Sequence, residues 1–180
     1  PWLSTYVQLR DEREEASTDR PGPKGRLLGG LQSEHRQSAR WHAEYDFSKA
    51  LTVRTRVQLS RYSAGNSPPS YGFLLSQGFR LQPLESLQLD ARLAFFDTDG
   101  FESRIYAYEH DLLYSFSVPV LFDRGHRSYL LVQYEPTTDL TIEAKYGATW
   151  YPHRQTIGSG LSETEGNQSR ELRLQFRWQY

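Results

Sequence analysis

Few residues of this chain have the types and spacing of a metal site. Asp97-Thr98-Asp99-Gly100 begins like a calcium-binding loop, because such loops open with carboxylates two residues apart and continue to a glycine. The later ligands of an EF-hand are missing, so we expect an ordinary acidic turn with Gly100 at a positive φ. The chain also lacks cysteine, which excludes thiolate ligands. The sequence therefore predicts no metal site and indicates no cofactor.

The histidines are the other candidates for chemistry, and their spacing favours neither a metal site nor an enzyme. None lies at ligand spacing from another histidine. A hydrolase at a barrel rim would use His110, which stands between two carboxylates, or His153, which lies near several serines. No G-x-S-x-G nucleophile motif accompanies them, so we expect no enzyme activity. The full set is His35, His42, His110, His126 and His153.

Nucleic acids and phosphate ligands are not indicated either. The formal net charge of −1 lacks the basic excess that binding to a phosphate backbone needs. Residues 21–26 are weakly basic and could touch lipopolysaccharide phosphates, although a solvated loop is the simpler interpretation. Gly158-Ser159-Gly160 is interpreted as a flexible tip, because no helix follows it to make a phosphate cradle.

The elements that carry these residues are strands in which apolar and polar residues alternate. In Leu172–Tyr180 every even position is apolar or aromatic and every odd position is polar or charged. Successive strand side chains point to opposite faces, so such a strand has one apolar and one polar face. The predicted strands are about 10 to 13 residues long, enough for tilted membrane strands and longer than ordinary soluble ones. Other clear runs are 39–47, 51–60, 87–95 and 140–150.

These runs predict an all-β fold. We expect an antiparallel meander that forms a transmembrane β-barrel of eight or ten strands, or the C-terminal arc of a larger barrel. No run approaches the roughly 20 apolar residues of a transmembrane helix. Residues 1–180 form one predicted domain, with long loops near 11–36, 63–70 and 152–169. Short links near 48–50, 82–85 and 136–139 fall at the other end, an asymmetry that is typical of outer-membrane barrels.

Residues 101–128 decide the strand count. A turn at Glu109-His110-Asp111 would divide the segment into two short strands and give ten in total. An excursion outside the barrel would leave eight. Either number is even, as a closed bacterial barrel of one chain normally requires.

The alternation assigns side chains to three environments. The predicted lipid-facing residues are Val53, Val57, Leu59, Leu87, Leu89, Leu93, Ile142, Leu172, Leu174 and Phe176. The aromatic girdles at the membrane interfaces are predicted to include Trp41, Trp150, Trp178 and Tyr180. The charges predicted to face the lumen are Arg54, Arg56, Asp90, Arg92, Glu143, Lys145, Arg173 and Arg177. A small barrel is filled by its side chains, so we expect opposite charges to pair and form a plug instead of a pore.

Residues 91–99, 103–109, 113–119 and 156–161, together with the terminal strand, resemble a known family. They are similar to the C-terminal β-barrel region of Bacteroidetes-type outer-membrane proteins that carry N-terminal helix-hairpin-helix repeats of the competence-protein type. The helix-hairpin-helix part is absent here, so the resemblance implies no nucleic-acid binding by this segment. It implies a Gram-negative outer membrane, contact with its lipid, and a structural or transport-related role beside other chains of an assembly.

A different class of protein would use the same alternation. In a soluble β-clam or lipocalin-like module, the apolar face lines a cavity for a small ligand and the charges face water. A third hypothesis, a barrel-embedded lipid hydrolase, requires a Ser–His–acid cluster at one rim. The direction in which the apolar face points therefore separates the first two classes.

The terminal aromatic residue resembles the C-terminal signal that barrel-insertion machinery reads. Deleting Tyr180 is therefore expected to lower assembly more than deleting an exposed loop residue does. Outer-membrane fractionation measures this difference, and equal assembly of the two variants would contradict it. The first residues carry no basic and apolar signal segment, so we expect a mature chain or a piece of a longer one.

Overall fold

A computed structural model describes residues 2–21, 27–158, 160 and 163–180 of the chain. Its main element is an eight-stranded antiparallel sheet with the order β1-β2-β3-β4-β5-β8-β9-β12. These strands are β1 (Trp2–Pro21), β2 (Leu27–Asp46), β3 (Leu51–Ala64), β4 (Ser70–Leu84), β5 (Leu87–Thr98), β8 (Arg124–Thr137), β9 (Leu140–Trp150) and β12 (Gln168–Trp178). The expectation of an all-β antiparallel meander is confirmed.

Two connections contain short structure of their own. Residues 99–123, here called the insert, hold a 3-10 turn (Phe101–Ser103) and the paired strands β6 (Ile105–Tyr106) and β7 (Val120–Leu121). Between β9 and β12, β10 (Thr156–Ile157) pairs with β11 (Thr164–Glu165). The insert adds no strand to the main sheet, so the ten-strand alternative is wrong.

The predicted loop at 11–36 is wrong, because most of this stretch belongs to strands. β1 and β2 pair from Trp2↔Asp46 to Pro21↔Leu27, and only residues 22–26 between them lie outside the described part. Residues 11–36 show no apolar alternation, because most of this part of the ribbon extends beyond the partners of β2 in β3, where neither face needs to be apolar. Polar cross-strand contacts support it instead: the Gln37 amide donates to the Asp11 carboxylate at 2.7 Å.

The other connections follow the sequence-based expectation closely. β3 ends at Ala64 and β4 begins at Ser70, close to the loop predicted at 63–70. The long connection predicted at 152–169 is present, but it ends earlier, because β12 begins at Gln168. β4 runs without interruption past Gln77, whose amide oxygen accepts a hydrogen bond from Thr55 at 2.9 Å.

The sheet places its apolar side chains on an exposed face and its polar side chains on a covered one. On β5, Leu93 and Phe95 are exposed, whereas Asp90, Ala94 and Phe96, which point to the other face, are buried. The insert covers the polar face, and the main apolar cluster lies between insert and sheet. That cluster consists of Leu74, Ala94, Phe96, Ile105, Ala107, Leu121 and Tyr151.

The sheet is open at β1 and β12, each of which pairs with one neighbouring strand in the described part of the chain. The structure therefore shows an eight-stranded antiparallel sheet without a closed barrel. Among the described residues, no helix has the length and apolar character needed to cross a membrane.

Candidate functional site

The insert carries a row of charged residues onto the polar face of the sheet. An isolated bridge holds its two arms together, because the Glu109 amide donates to the Ser117 carbonyl at 2.9 Å. Near the end of this loop, Tyr114 adopts a positive φ of 64°. The arrangement directs Glu109, His110 and Asp111 at side chains of β3, β4, β5, β8, β9 and β12. Six strands therefore converge on three consecutive residues, a geometry that is typical of the concave side of a curled sheet.

Glu109 is the centre of this contact, and its side chain is 0% exposed. Arg127 donates to both carboxylate oxygens, from Nε at 2.7 Å and from Nη2 at 2.9 Å. Arg92 Nη2 donates to Oε1 at 2.8 Å. The Lys145 ammonium lies 3.3 Å from Oε2. Three cations from β5, β8 and β9 thus surround one carboxylate of the insert, and this geometry keeps it ionised.

Lys145 and Asp111 extend the network towards β12. Lys145 is 0% exposed, and its ammonium lies 3.6 Å from Asp111 Oδ2 and 5.1 Å from the centre of the Tyr129 ring. It makes no well-aligned hydrogen bond within the described residues, so ion pairs and the ring compensate its burial. Arg173 Nη1 donates to Asp111 Oδ2 at 2.5 Å, and this ties β12 to the insert.

A second carboxylate, Asp90, organises the neighbouring part of the polar face. It accepts hydrogen bonds from Arg80 Nε at 3.1 Å and from the Tyr129 hydroxyl at 2.8 Å. Arg54 Nη1 lies 3.4 Å from the Asp90 carboxylate. The Nε atom of the same arginine donates to Glu44 at 2.6 Å. His110 Nε2 is 3.2 Å from Arg54 and 3.3 Å from Arg80. Two guanidinium donors therefore point at one ring nitrogen, which favours the neutral imidazole as acceptor.

The residues predicted to face the lumen all lie on this polar face. Asp90, Arg54, Arg92, Lys145 and Arg173 take part in ion pairs, as expected for a plug. Three others are held mainly by neutral partners: Glu143 accepts from the Leu113 amide, Arg177 donates to Thr141, and Arg56 donates to Gln58 and to the Tyr106 carbonyl.

Glu109 and Asp111 were not predicted as partners of these charges. Sequence alternation identifies which side chains of a strand share a face, and the insert has no such alternation. The available signal was the acidic run Glu109-His110-Asp111 between aromatic and apolar neighbours, opposite an excess of arginine on the strands.

The outer face carries the residues predicted to contact lipid. Leu59, Leu93, Leu172, Leu174 and Phe176 are exposed, and the remaining predicted positions are partly exposed on the same face. Those remaining positions are Val53, Val57, Leu87, Leu89 and Ile142.

The predicted girdle residues also lie on this face or at its ends. Trp150 pairs with Gln168 at one end of the β9–β12 ladder, and Trp178 pairs with Leu140 at the other. Trp41 is exposed and donates to the Thr5 hydroxyl at 2.9 Å. Tyr180 is fully exposed beyond β12.

The residues considered for metal binding have protein partners. Asp97 accepts from Arg124 Nε at 2.8 Å, and Asp99 accepts from the Tyr71 amide at 2.8 Å. Gly100 has a φ of −178°, so the expected positive φ is wrong; the chain is extended there before it enters the 3-10 turn. No group of metal-binding side chains is found in the described ranges. Residues 22–26, from the weakly basic segment that could touch lipopolysaccharide phosphates, lie outside them, as does Ser159 of the predicted flexible tip.

One ion pair fixes the end of the insert against the loop after β9. Arg154 Nε donates to Asp123 Oδ2 at 2.6 Å. Partial burial raises the pKa of Asp123, but this hydrogen bond and the Arg124 amide outweigh it and hold the pKa below its ordinary value. Arg154 also lies over the rings of Phe122 and Tyr151.

Comparison of the chain with models of protein families, with curated protein sequences and with solved structures found no match. The resemblance to helix-hairpin-helix outer-membrane proteins therefore stays a prediction.

Proposed function

We propose that this chain is an outer-membrane β-barrel protein, or an arc of such a barrel, with a structural or transport-related role in an outer-membrane assembly. The observation that carries the proposal is the orientation of the two faces. The apolar face of the sheet is exposed, whereas the insert covers the polar face and its buried ion pairs. A protein in lipid needs this arrangement, because its surroundings are apolar and its interior is packed with polar groups.

The height of the exposed apolar band supports a membrane location. On β5 the outward positions from Leu87 to Phe95 are apolar, and Asp97 follows them. Eight residue steps correspond to about 27 Å along a strand, or about 20 Å across the membrane at a tilt of about 40°. The apolar band of an outer-membrane barrel is about 25 Å tall. The outward positions 39–47, 51–59 and 73–81 give bands of the same length, interrupted only by Thr55 and Gln77.

The two other hypotheses receive less support. A lipocalin-like module would bury Leu59 and Leu93 around a ligand and expose Arg127 and Lys145, which is the reverse of the arrangement described above. For a hydrolase, His110 would need a serine hydroxyl as partner. Within the described residues its ring nitrogen faces Arg54 and Arg80 instead.

Because the insert covers the polar face, the proposed transport depends on the position of the insert. Glu109 and Asp111 hold the insert across the sheet by ion pairs to several strands. A resting lumen built in this way is closed, so passage of a solute requires movement of the insert. The outer edges of β1 and β12, which pair with no strand among the described residues, are the places where the barrel closes on itself or receives strands from other chains of the assembly.

Heat modifiability on SDS gels tests the proposal. Membrane-extracted protein is run with and without boiling, because a folded membrane barrel resists cold SDS and migrates differently until it is heated. We expect outer-membrane fractionation together with a heat-dependent shift. Membrane association without a shift would favour an arc that needs further chain. Soluble protein without a shift would contradict the proposal and favour the small-ligand module.

A further inference from the structure

The polar face contains a cavity of about 280 Å³ where coverage by the insert ends. It lies over β2 and β3, beside β1 and the His110 side of the insert. Its walls are rich in cations, and the single carboxylate among them, Asp90, already accepts from Arg80 and Tyr129. The basic side chains of the wall are Arg40, His42, Arg54, Arg56, Arg92 and His110.

Two of these arginines differ from the rest in having no acidic partner. Arg54 is paired with Glu44 and Arg92 with Glu109. Within the described residues, neither Arg40 nor Arg56 has a carboxylate oxygen within 4.0 Å. Both instead donate to one neutral acceptor, the amide oxygen of Gln58, which Arg40 Nε meets at 3.0 Å. Two like charges are thus held together by a group that neutralises neither of them.

The hydrogen-bonding capacity of Arg56 is also incomplete. Its Nη2 donates to Gln58 and to the Tyr106 carbonyl, the latter at 3.0 Å. Its Nε is buried and has no hydrogen-bond partner in the described part of the chain. A buried guanidinium N–H without an acceptor is costly, and most such groups in native proteins are satisfied. An anion in the cavity would supply the negative charge that Arg40 and Arg56 lack.

We propose that the cavity between Arg40 and Arg56 binds a compact oxyanion of the phosphate class. The planar fork of a guanidinium matches the oxygen atoms of phosphate, and hydrogen bonds between charged groups are the strong ones. Gln58 holds the two guanidinium groups side by side, and Tyr6, which lines the cavity together with Arg40 and Arg56, offers a hydroxyl donor. The site goes beyond the function proposed above, because it depends on the polar face and not on what surrounds the apolar face.

Titration calorimetry of the intact folded chain with inorganic phosphate, in chloride buffer, tests the site. We expect saturable binding of one phosphate per chain. Arg56→Gln removes one guanidinium fork and is expected to weaken binding about tenfold, the size that loss of one charge-assisted hydrogen bond produces. Arg40→Gln is expected to act in the same direction, so the test stands if one of the two variants fails to fold.

Arg61→Gln is the matched control. Arg61 lies on the same strand as Arg56 but on the opposite face, and it donates to Gln37 at 2.8 Å. We expect this variant to bind phosphate as the parent chain does. Absence of saturable binding to the parent chain would overturn the proposal. An equal loss in Arg61→Gln and in the two cavity variants would overturn it as well, since it would indicate an unspecific effect of charge.

Discussion

Replacing Glu109 by glutamine is expected to lower the free energy of unfolding by about 3 to 5 kcal/mol, because removal of one partner leaves buried charges uncompensated. Glu109 is the common partner of Arg92, Arg127 and Lys145. Glutamine keeps nearly the same shape, so the loss reports the charge and not a cavity. Lys145 is affected most, since its ammonium is fully buried and Asp111 at 3.6 Å is its remaining anion.

Glu102→Gln is the matched control for this prediction. Glu102 also belongs to the insert and also pairs with two arginines, Arg36 at 3.4 Å and Arg104 at 3.8 Å. Its side chain is 51% exposed, and solvent-exposed pairs contribute about 0 to 1 kcal/mol. Denaturant unfolding of both variants in the same medium measures the difference. Equal losses would mean that the ion pairs of Glu109 do not hold the insert.

Replacing Leu93 by arginine is expected to cost about 2 to 4 kcal/mol in a lipid bilayer, the penalty of a cation deep on the lipid face of a barrel. Leu93 is 40% exposed and lies within the apolar band of β5. The same change on a face that contacts water would usually alter stability by no more than about 0.5 kcal/mol. This substitution therefore separates a lipid-facing from a water-facing surface without knowledge of any ligand.

Tyr71→Arg is the control for depth. Tyr71 is 52% exposed on β4 and lies at the end of the apolar band, where a cation is expected to cost about 0 to 1 kcal/mol. Unfolding in lipid vesicles, followed by tryptophan fluorescence, gives both values. If Leu93→Arg were as stable as Tyr71→Arg, lipid contact by this face would be contradicted.

Strand residues were predicted well because alternation is a direct consequence of strand geometry. Leu172, Leu174 and Phe176 share one face and Arg173 and Arg177 the other, as a repeat of two residues requires. The part of the β1–β2 ribbon within residues 11–36 was missed because its polar residues need no alternation when neither face packs against a core. The place of the insert was missed for a different reason: its contacts with β8, β9 and β12 involve residues far apart in sequence, and local patterns carry no information about them.

The sequence predicted the cations of the candidate site but not their shared carboxylate. Lys145 and Arg92 were expected to pair with opposite charges, and they do. The partner, Glu109, comes from a segment for which the sequence offered two topologies, neither of which brings it onto the polar face. The cavity beside Arg56 could not be predicted from the sequence either, because its position depends on where the insert ceases to cover the polar face.

The order of the strands also bears on how the chain folds. Most strands pair with the next one along the chain, so these pairs can form as hairpins, each in about 1 to 10 μs. The ion pairs from Arg92 and Arg127 to Glu109 span 17 and 18 residues, whereas the bond from Arg173 to Asp111 spans 62. The entropy of loop closure therefore predicts an order of assembly in which the hairpins form first, the insert docks on β5 and β8 next, and β12 attaches to Asp111 last.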